Sequence, residues 1–213
     1  MKRWSPSYPL ALIIALIALM PVVVLISLAS DSPQLFDARN LEILTNTLAL
    51  MVFTAGGAVL IGVPLALLTA YVRLPWGKFW LVLLASPLAI PSYIGAFTLY
   101  AAFGPGGEIE QLTGITTPSF DGLFGSSVVM ALYTYPFVML TVRASLLSLD
   151  ASLVYAARTL GMSLLGSLWS VVLPRITNGI AAGALLAAMY ALSDFGTQAI
   201  LGLDNFTSMS GTL

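Results

Sequence analysis

Tyr155 to Pro174 reads YAARTLGMSLLGSLWSVVLP, and this stretch decides how the rest of the chain is read. It lies between two apolar runs, Ser126–Leu147 and Ile176–Leu201, each long enough to cross a bilayer. Asp150 can cap a short helix beginning near Ala151, and Gly161 can end it in a left-handed conformation. Within it, Leu153, Ala156, Ala157 and Leu160 share one face. Ser152, Tyr155 and Thr159 share another, with Arg158 beside it. Beyond Gly161, Leu164, Leu165, Leu168, Trp169 and Val172 form a second apolar stripe, and Pro174 permits an abrupt turn into the next apolar run. The expectation is two short helices with a corner at Gly161, the first standing away from a membrane and the second lying along it. Periodicity alone leaves two uses open: a surface gripped by another protein, or an interfacial connector without a partner.

The surroundings supply the membrane. Of 213 residues, 59% are hydrophobic and 8% charged, against about 25% charged for an average soluble domain. A surface of that composition takes the bilayer as its solvent. Cys and His are absent, which excludes disulfides, thiolate or imidazole metal sites, Cys nucleophiles and His-based acid–base catalysis within the chain. No basic cluster of the kind that binds nucleic acid occurs.

About five spans are predicted, at Tyr8–Ser30, Ile43–Tyr71, Phe79–Phe103, Ser126–Leu147 and Ile176–Leu201. The first is longer than a signal-peptide apolar core and reads as an uncleaved anchor. Lys2, Arg3, Arg73, Lys78, Arg143, Arg158 and Arg175 fall on one side, and Arg39 alone on the other. Asp31, Asp37, Glu42, Glu108, Glu110, Asp121 and Asp204 mostly oppose them, so the N-terminus and the Tyr155–Pro174 loop are expected in the cytoplasm. The fold class is therefore all-α, a polytopic transmembrane bundle. Residues 1–42 form an N-terminal span and external segment, and 43–213 the core with its loop at 150–174.

Pro64, Pro87, Pro91 and Pro136 sit inside apolar segments, where kinking is expected and a moving gate is the sharper reading. Ala55, Gly56, Gly57 and Gly62 give the second span a small-residue face suited to close packing. The turn-rich external segment Gly104–Gly125 is long enough for a short helix.

The loop resembles the signature loop of bacterial ABC-transporter permeases, the membrane subunits of binding-protein-dependent importers. That pattern is Glu-Ala-Ala, three residues, Gly, nine residues, Ile, one residue, Leu-Pro. Tyr155-Ala156-Ala157, Gly161, Val171 and Leu173-Pro174 stand in register with it. Tyr155 departs from it by replacing the usual Glu, so the resemblance supplies no charge contact there. Ala181-Ala182-Gly183-Ala184-Leu185-Leu186, Ser193-Asp194-Phe195-Gly196-Thr197 and Leu201-Gly202 resemble the ferric-iron branch, whose members usually fuse two such halves. The chain is similar to a first half cut before its last span.

The resemblance implies a type I ABC importer permease of the bacterial inner membrane, moving a small solute inward by alternating access. Ferric iron is the expected cargo; thiamine, sulfate or another inorganic anion is the alternative, and a secondary transporter the more distant one. It implies Tyr155, Ala156, Ala157, Arg158, Gly161, Val171, Leu173 and Pro174 as the ATPase-coupling loop. The implied partners are a cytoplasmic ABC ATPase dimer, an extracytoplasmic solute-binding protein, a second permease half (fused or separate) and membrane lipid. ATP and Mg belong to the ATPase, since this sequence has no Gly-x-x-x-x-Gly-Lys-Ser/Thr phosphate loop.

Asp194 is the one carboxylate expected inside a span, where a charge costs about 2.5–3.5 kcal/mol at mid-membrane and less near an interface. It is a candidate pathway residue, or the cap of a local break at Phe195-Gly196. Standing without a second carboxylate or a His, it makes no catalytic or metal site, which argues against an intramembrane enzyme.

Overall fold

The computed structural model describes residues 38–72, 74–115 and 120–205 of the chain. The expected first span, Tyr8–Ser30, lies outside the described residues. The backbone divides into Met1–Glu42 and Ile43–Leu213; of the first unit only the opening turn of a helix is described.

The described residues form helices and no strand. In chain order these are α1 (Ala38–Tyr71), α2 (Gly77–Ala85), α3 (Ser92–Phe103), α4 (Glu108–Thr113), α5 (Gly122–Ser148), α6 (Ala151–Thr159), α7 (Leu164–Ser167), α8 (Leu173–Ser193) and α9 (Gly196–Ile200). Three segments are each long and apolar enough to cross a bilayer: Ala38–Tyr71, Gly122–Ser148 and Leu168–Ser193. A fourth, Gly77–Ala89 with Ser92–Thr113, qualifies only as a pair bent by 88°.

That bend is the kink expected at Pro87 and Pro91 within Phe79–Phe103, and it is sharp enough to divide the segment into two helices. Ser86–Ala89 tighten into a 3₁₀ turn with Pro87 at its start, and Ile90 then becomes extended (φ −103°, ψ 130°). A residue before proline is pushed out of the helical region by the ring, here that of Pro91, and α3 restarts at Ser92. Pro64 and Pro136, by contrast, are carried inside α1 and α5 without a break.

Glycine sets the spacing of the long helices. A Cβ on Gly57 would stand 2.7 Å from the Ala131 Cβ, and one on Gly62 would stand 2.8 Å from both the Tyr135 carbonyl oxygen and the Val138 Cβ. The two series rise together, so α1 and α5 run parallel. On the other side of α5, Gly179 meets Thr141 and Ser145 while Gly183 meets Val138, so α8 runs antiparallel. Gly179, Gly183, Ala187 and Ala191 recur every four residues as one buried stripe, the small-residue spacing that lets membrane helices approach closely. Gly56, expected to belong to such a face, has open space around it. The core between these helices is built from Ala58, Ala66, Tyr135, Val138, Val142 and Ile176, among others. The Tyr135 hydroxyl donates to the Leu84 carbonyl (2.8 Å), in the last turn of α2 where helix carbonyls lose their donors.

At the acidic end, α9 closes onto α3 and α5. The Gly122 N–H donates to the Leu201 carbonyl (2.7 Å), and Asn46 Nδ2 to the Asp204 carbonyl (3.0 Å). Ala96, Val129 and Leu201 pack beneath these bonds.

Candidate functional site

The elbow between α5 and α8 begins at Asp150, which is extended and accepts the Ser152 N–H through its side chain (2.9 Å). Hydrogen bonds from the Ser152 backbone and hydroxyl hold the Asp150 carboxyl below the usual carboxylate range. The helix ends as a Schellman motif. The Gly161 N–H bonds the Arg158 carbonyl (3.0 Å), the Met162 N–H bonds the Ala157 carbonyl (3.2 Å), and Gly161 takes φ +87°. No atom lies within 4 Å of where a Gly161 Cβ would stand, so its identity answers to backbone conformation and not to space.

The inward face of α6 differs from the one expected. Ala157 is buried and Val154 packs on the core beside Leu149 and Leu168. Leu160, expected on the apolar face, is 85% exposed, Ala156 is exposed, and Tyr155 is 70% exposed. The helix thus stands on Val154 and Ala157, one turn apart, and offers Tyr155, Ala156, Arg158 and Leu160 outward. The reason is tertiary: α6 packs against α7 and residues Leu168–Val172, and the corner at Gly161 leaves Leu160 outside that contact.

The second short helix also departs from expectation, because it does not turn at Pro174. From α7 the chain passes through a π-helical turn, Leu168–Val172, and continues without a break in helical backbone into α8. The Leu173 N–H reaches five residues back to the Leu168 carbonyl. Pro174 brings no N–H, and the widened turn absorbs that loss where a regular helix would kink. Val171 and Leu173 are half-buried, and Pro174 and Trp169 are exposed. A cavity of about 270 Å³ opens here, lined by Val63, Pro64 and Leu67 of α1 against Leu168, Trp169, Val172, Leu173 and Ile176. Of the eight loop residues, Ala157 is the one in the packed base. Tyr155, Ala156 and Arg158 form the outward surface, Gly161 the corner, and Val171, Leu173 and Pro174 the foot of the long helix.

Asp194 lies just beyond α8, not within it. Ser193 is the last helical residue, and Asp194 is extended (φ −83°, ψ 113°). Its Oδ1 accepts the Thr197 N–H (2.8 Å), and its Oδ2 accepts the Ser92 hydroxyl at the start of α3. Asp194 therefore caps the break at Phe195-Gly196. Ser92 and Thr197 were not legible as its partners. The usable signal was the Asp followed three residues later by Thr197, a capping spacing. No group of three or more Asp, Glu, His or Cys among the described residues could hold a metal ion.

Apolar helices of membrane-spanning length, one pair broken at proline, pack through glycine and carry a capped elbow at their basic end, which defines a polytopic membrane bundle. The chain belongs to the family of binding-protein-dependent transport system inner membrane components, whose profile matches residues 62–212. It is 30% identical to the Fe(3+)-transport system permease protein FbpB 2 of Haemophilus influenzae, over 86% of this chain and 33% of that protein. It is 30% identical to a "probable molybdenum ABC transporter permease protein" of Haloferax volcanii, over 90% of this chain and 71% of that protein. A "probable sulfate transport system permease protein" of Chlorokybus atmophyticus is 31% identical, over 86% of this chain and 66% of that protein. The chain thus spans a third of the length of the iron relative and about two thirds of the other two. These relatives are transport subunits and not enzymes, and the chain is a multi-pass protein of the inner membrane.

Proposed function

We propose that the chain is the permease part of an ATP-driven importer, receiving a small inorganic ion from a solute-binding protein and passing it inward by alternating access. The observation that carries this reading is the elbow. Tyr155, Ala156, Arg158 and Leu160 project from a short helix fixed at its base by Val154 and Ala157 and at its corner by Gly161, on the side where positive charge collects. A cytoplasmic ATPase dimer that binds ATP and Mg grips this surface. Movement of the gripped helix passes through the corner into the continuous α7–α8 rod as a rigid-body rotation. A second permease half, fused or separate, completes the pathway.

Ferric iron is the cargo this reading favours, from the sequence likeness around Ala181–Leu186 and Ser193–Thr197 and from the Haemophilus relative. An oxyanion is the second reading. The molybdenum and sulfate relatives match over far more of their own length, and the carboxylate of Asp194 is engaged by Ser92 and Thr197 instead of standing free for a cation.

The test uses the permease reconstituted with its ATPase and binding protein. Hydrolysis is measured with the binding protein loaded with ferric iron, molybdate or sulfate, with and without Gly161→Val. Stimulation by one cargo, abolished by the substitution while insertion is kept, is the expected result. Normal uptake by Gly161→Val would remove the elbow from the mechanism, and lack of any ATPase association would remove the importer.

A further inference from the structure

Two helix breaks meet at the acidic end of the bundle. One lies at Ile90–Pro91 before α3, the other at Asp194–Phe195 between α8 and α9. Between them stands a single carboxylate with both oxygens engaged, one by the Ser92 hydroxyl and one by the Thr197 N–H. Around it the backbones are close, since a Cβ on Gly196 would come within 3.0 Å of the Tyr93 Cβ. α9 has five residues, too few to hold helical form without neighbours. Its Thr197 and Gln198 are fully buried, yet Thr197 Oγ1 and Gln198 Oε1 meet no donor among the described residues; only Gln198 Nε2 is bonded, to the Ala191 carbonyl (2.7 Å). The element is also tied by the Gly122 N–H to the Leu201 carbonyl, yet it keeps two buried acceptors unmet, and a second arrangement of the break is what would satisfy them.

We propose that Asp194 is a positioning residue for transport: its bond to Ser92 latches α3 to the α8–α9 break, and the latch opens when the outward end of the pathway changes state. The proposal rests on the permease reading above. It removes Asp194 from direct contact with cargo and gives the carboxylate a mechanical task, because a charged acceptor holds a hydroxyl in apolar surroundings more firmly than a neutral one and yet releases it when water enters.

The 213 residues contain no Cys, so Ser92→Cys with Asp194→Cys places a defined thiol pair at the contact. In the permease with its ATPase and binding protein in proteoliposomes, oxidation is expected to form the cross-link and to lower uptake at least tenfold while ATP hydrolysis continues. Reductant is expected to return the oxidised protein to the uptake of the same double variant before oxidation, which is the reference for the tenfold loss. Absence of a cross-link, or unchanged uptake by the oxidised protein, would overturn the latch. Where the double variant does not fold, Ser92→Ala decides the matter. This variant keeps the charge and the Thr197 cap, and it should raise basal hydrolysis about threefold relative to the rate stimulated by loaded binding protein. A merely structural contact leaves that ratio unchanged and lowers both rates with the amount of folded protein, which would refute the proposal. Uptake by the reduced protein that needs neither ATPase nor binding protein would defeat the permease reading itself, an outcome distinct from the others.

Discussion

Replacing Gly183 by Ala and, separately, Gly56 by Ala sets two chemically identical changes against each other in two long apolar helices. At Gly183 the new Cβ would stand 2.5 Å from the Val138 Cα and 3.1 Å from the Val138 nitrogen, atoms of the α5 backbone that cannot rotate away. Carbon atoms in contact settle at about 3.5–4.0 Å, so α8 must withdraw from α5 by roughly 1 Å along this stretch. Overpacking of this kind costs about 1–3 kcal/mol, and the gap it opens forfeits a quarter to a half of the local dispersion contact. Alanine returns up to about 0.5–1 kcal/mol of helix preference, less in lipid, where the separated helix stays helical. The net expectation is a loss of about 1–2 kcal/mol, a 5- to 30-fold rise in the unfolded fraction. At Gly56 no atom lies within 4 Å, so only the helix preference remains and the variant should be neutral or more stable by up to about 1 kcal/mol. Denaturation of the full-length protein in mild detergent, the two variants side by side, measures the difference. A Gly183→Ala protein as stable as Gly56→Ala would refute the glycine-set approach of α8 to α5.

At Gly161 the φ of +87° in open space predicts that Asn, which tolerates the left-handed region, keeps more coupled ATPase activity than Val, which does not; equal activity of the two would place the requirement elsewhere. Tyr135→Phe removes the donor to the Leu84 carbonyl, and a loss of about 0.6 kcal/mol, at most about 1.7 kcal/mol, is expected in the same denaturation assay, in line with hydrogen bonds between membrane helices. Asp150 has its carboxyl pKa depressed by the Ser152 hydrogen bonds, so its stabilisation of α6 is present above the unfolded-state pKa of about 3.9 and is lost as pH falls through the lower folded value. The protection of the α6 amides, taken relative to the intrinsic exchange rate at each pH, should therefore fall below about pH 4, and Asp150→Asn should flatten that dependence. Ala157→Asp puts a charge into the packed base of α6, and uncoupling of hydrolysis from uptake with insertion intact is the expected phenotype.

The long helices were legible because an apolar run of sufficient length has one outcome in a bilayer, and Gly161 and Asp150 because their conformational and capping chemistry is local. The proline outcomes were not. Pro64 and Pro136 stay inside helices packed along their length, whereas Pro87 and Pro91, four residues apart, coincide with a 3₁₀ turn and an extended Ile90. Which outcome prevails depends on what neighbours repair, and a neighbour in space has no mark in the local sequence. The π turn at Leu168–Val172 is the same problem solved another way, and it reversed the expected corner at Pro174. The stripe Gly179, Gly183, Ala187, Ala191 could have been read from its four-residue spacing, since it needs only the helix to be assumed. The Ser92–Asp194 contact joins residues 102 positions apart, and only the meeting of two helix breaks brings them together.

These features lie along one mechanical line. From Leu164 through the π turn to Ser193 the chain is helical without interruption, about 45 Å at 1.5 Å per residue, which is more than the hydrocarbon thickness. The elbow stands at one end of this rod and the Asp194 break at the other. Glycine holds its middle against α5 at Gly179 and Gly183, so a sideways swing of α8 must carry α5 with it, while rotation about the rod's own axis moves the stripe out of register. The Gly161→Val and cross-linking experiments therefore bear on opposite ends of one element. If the proposed importer works through α8 as a rigid body, loaded binding protein should move Tyr155 and Leu160, and a protein cross-linked at Ser92–Asp194 should lose that movement, as followed by a spectroscopic probe on α6. Probe movement that persists with the latch closed would show that the π turn yields, so that the rod is jointed at Leu168–Val172 and the two ends act independently.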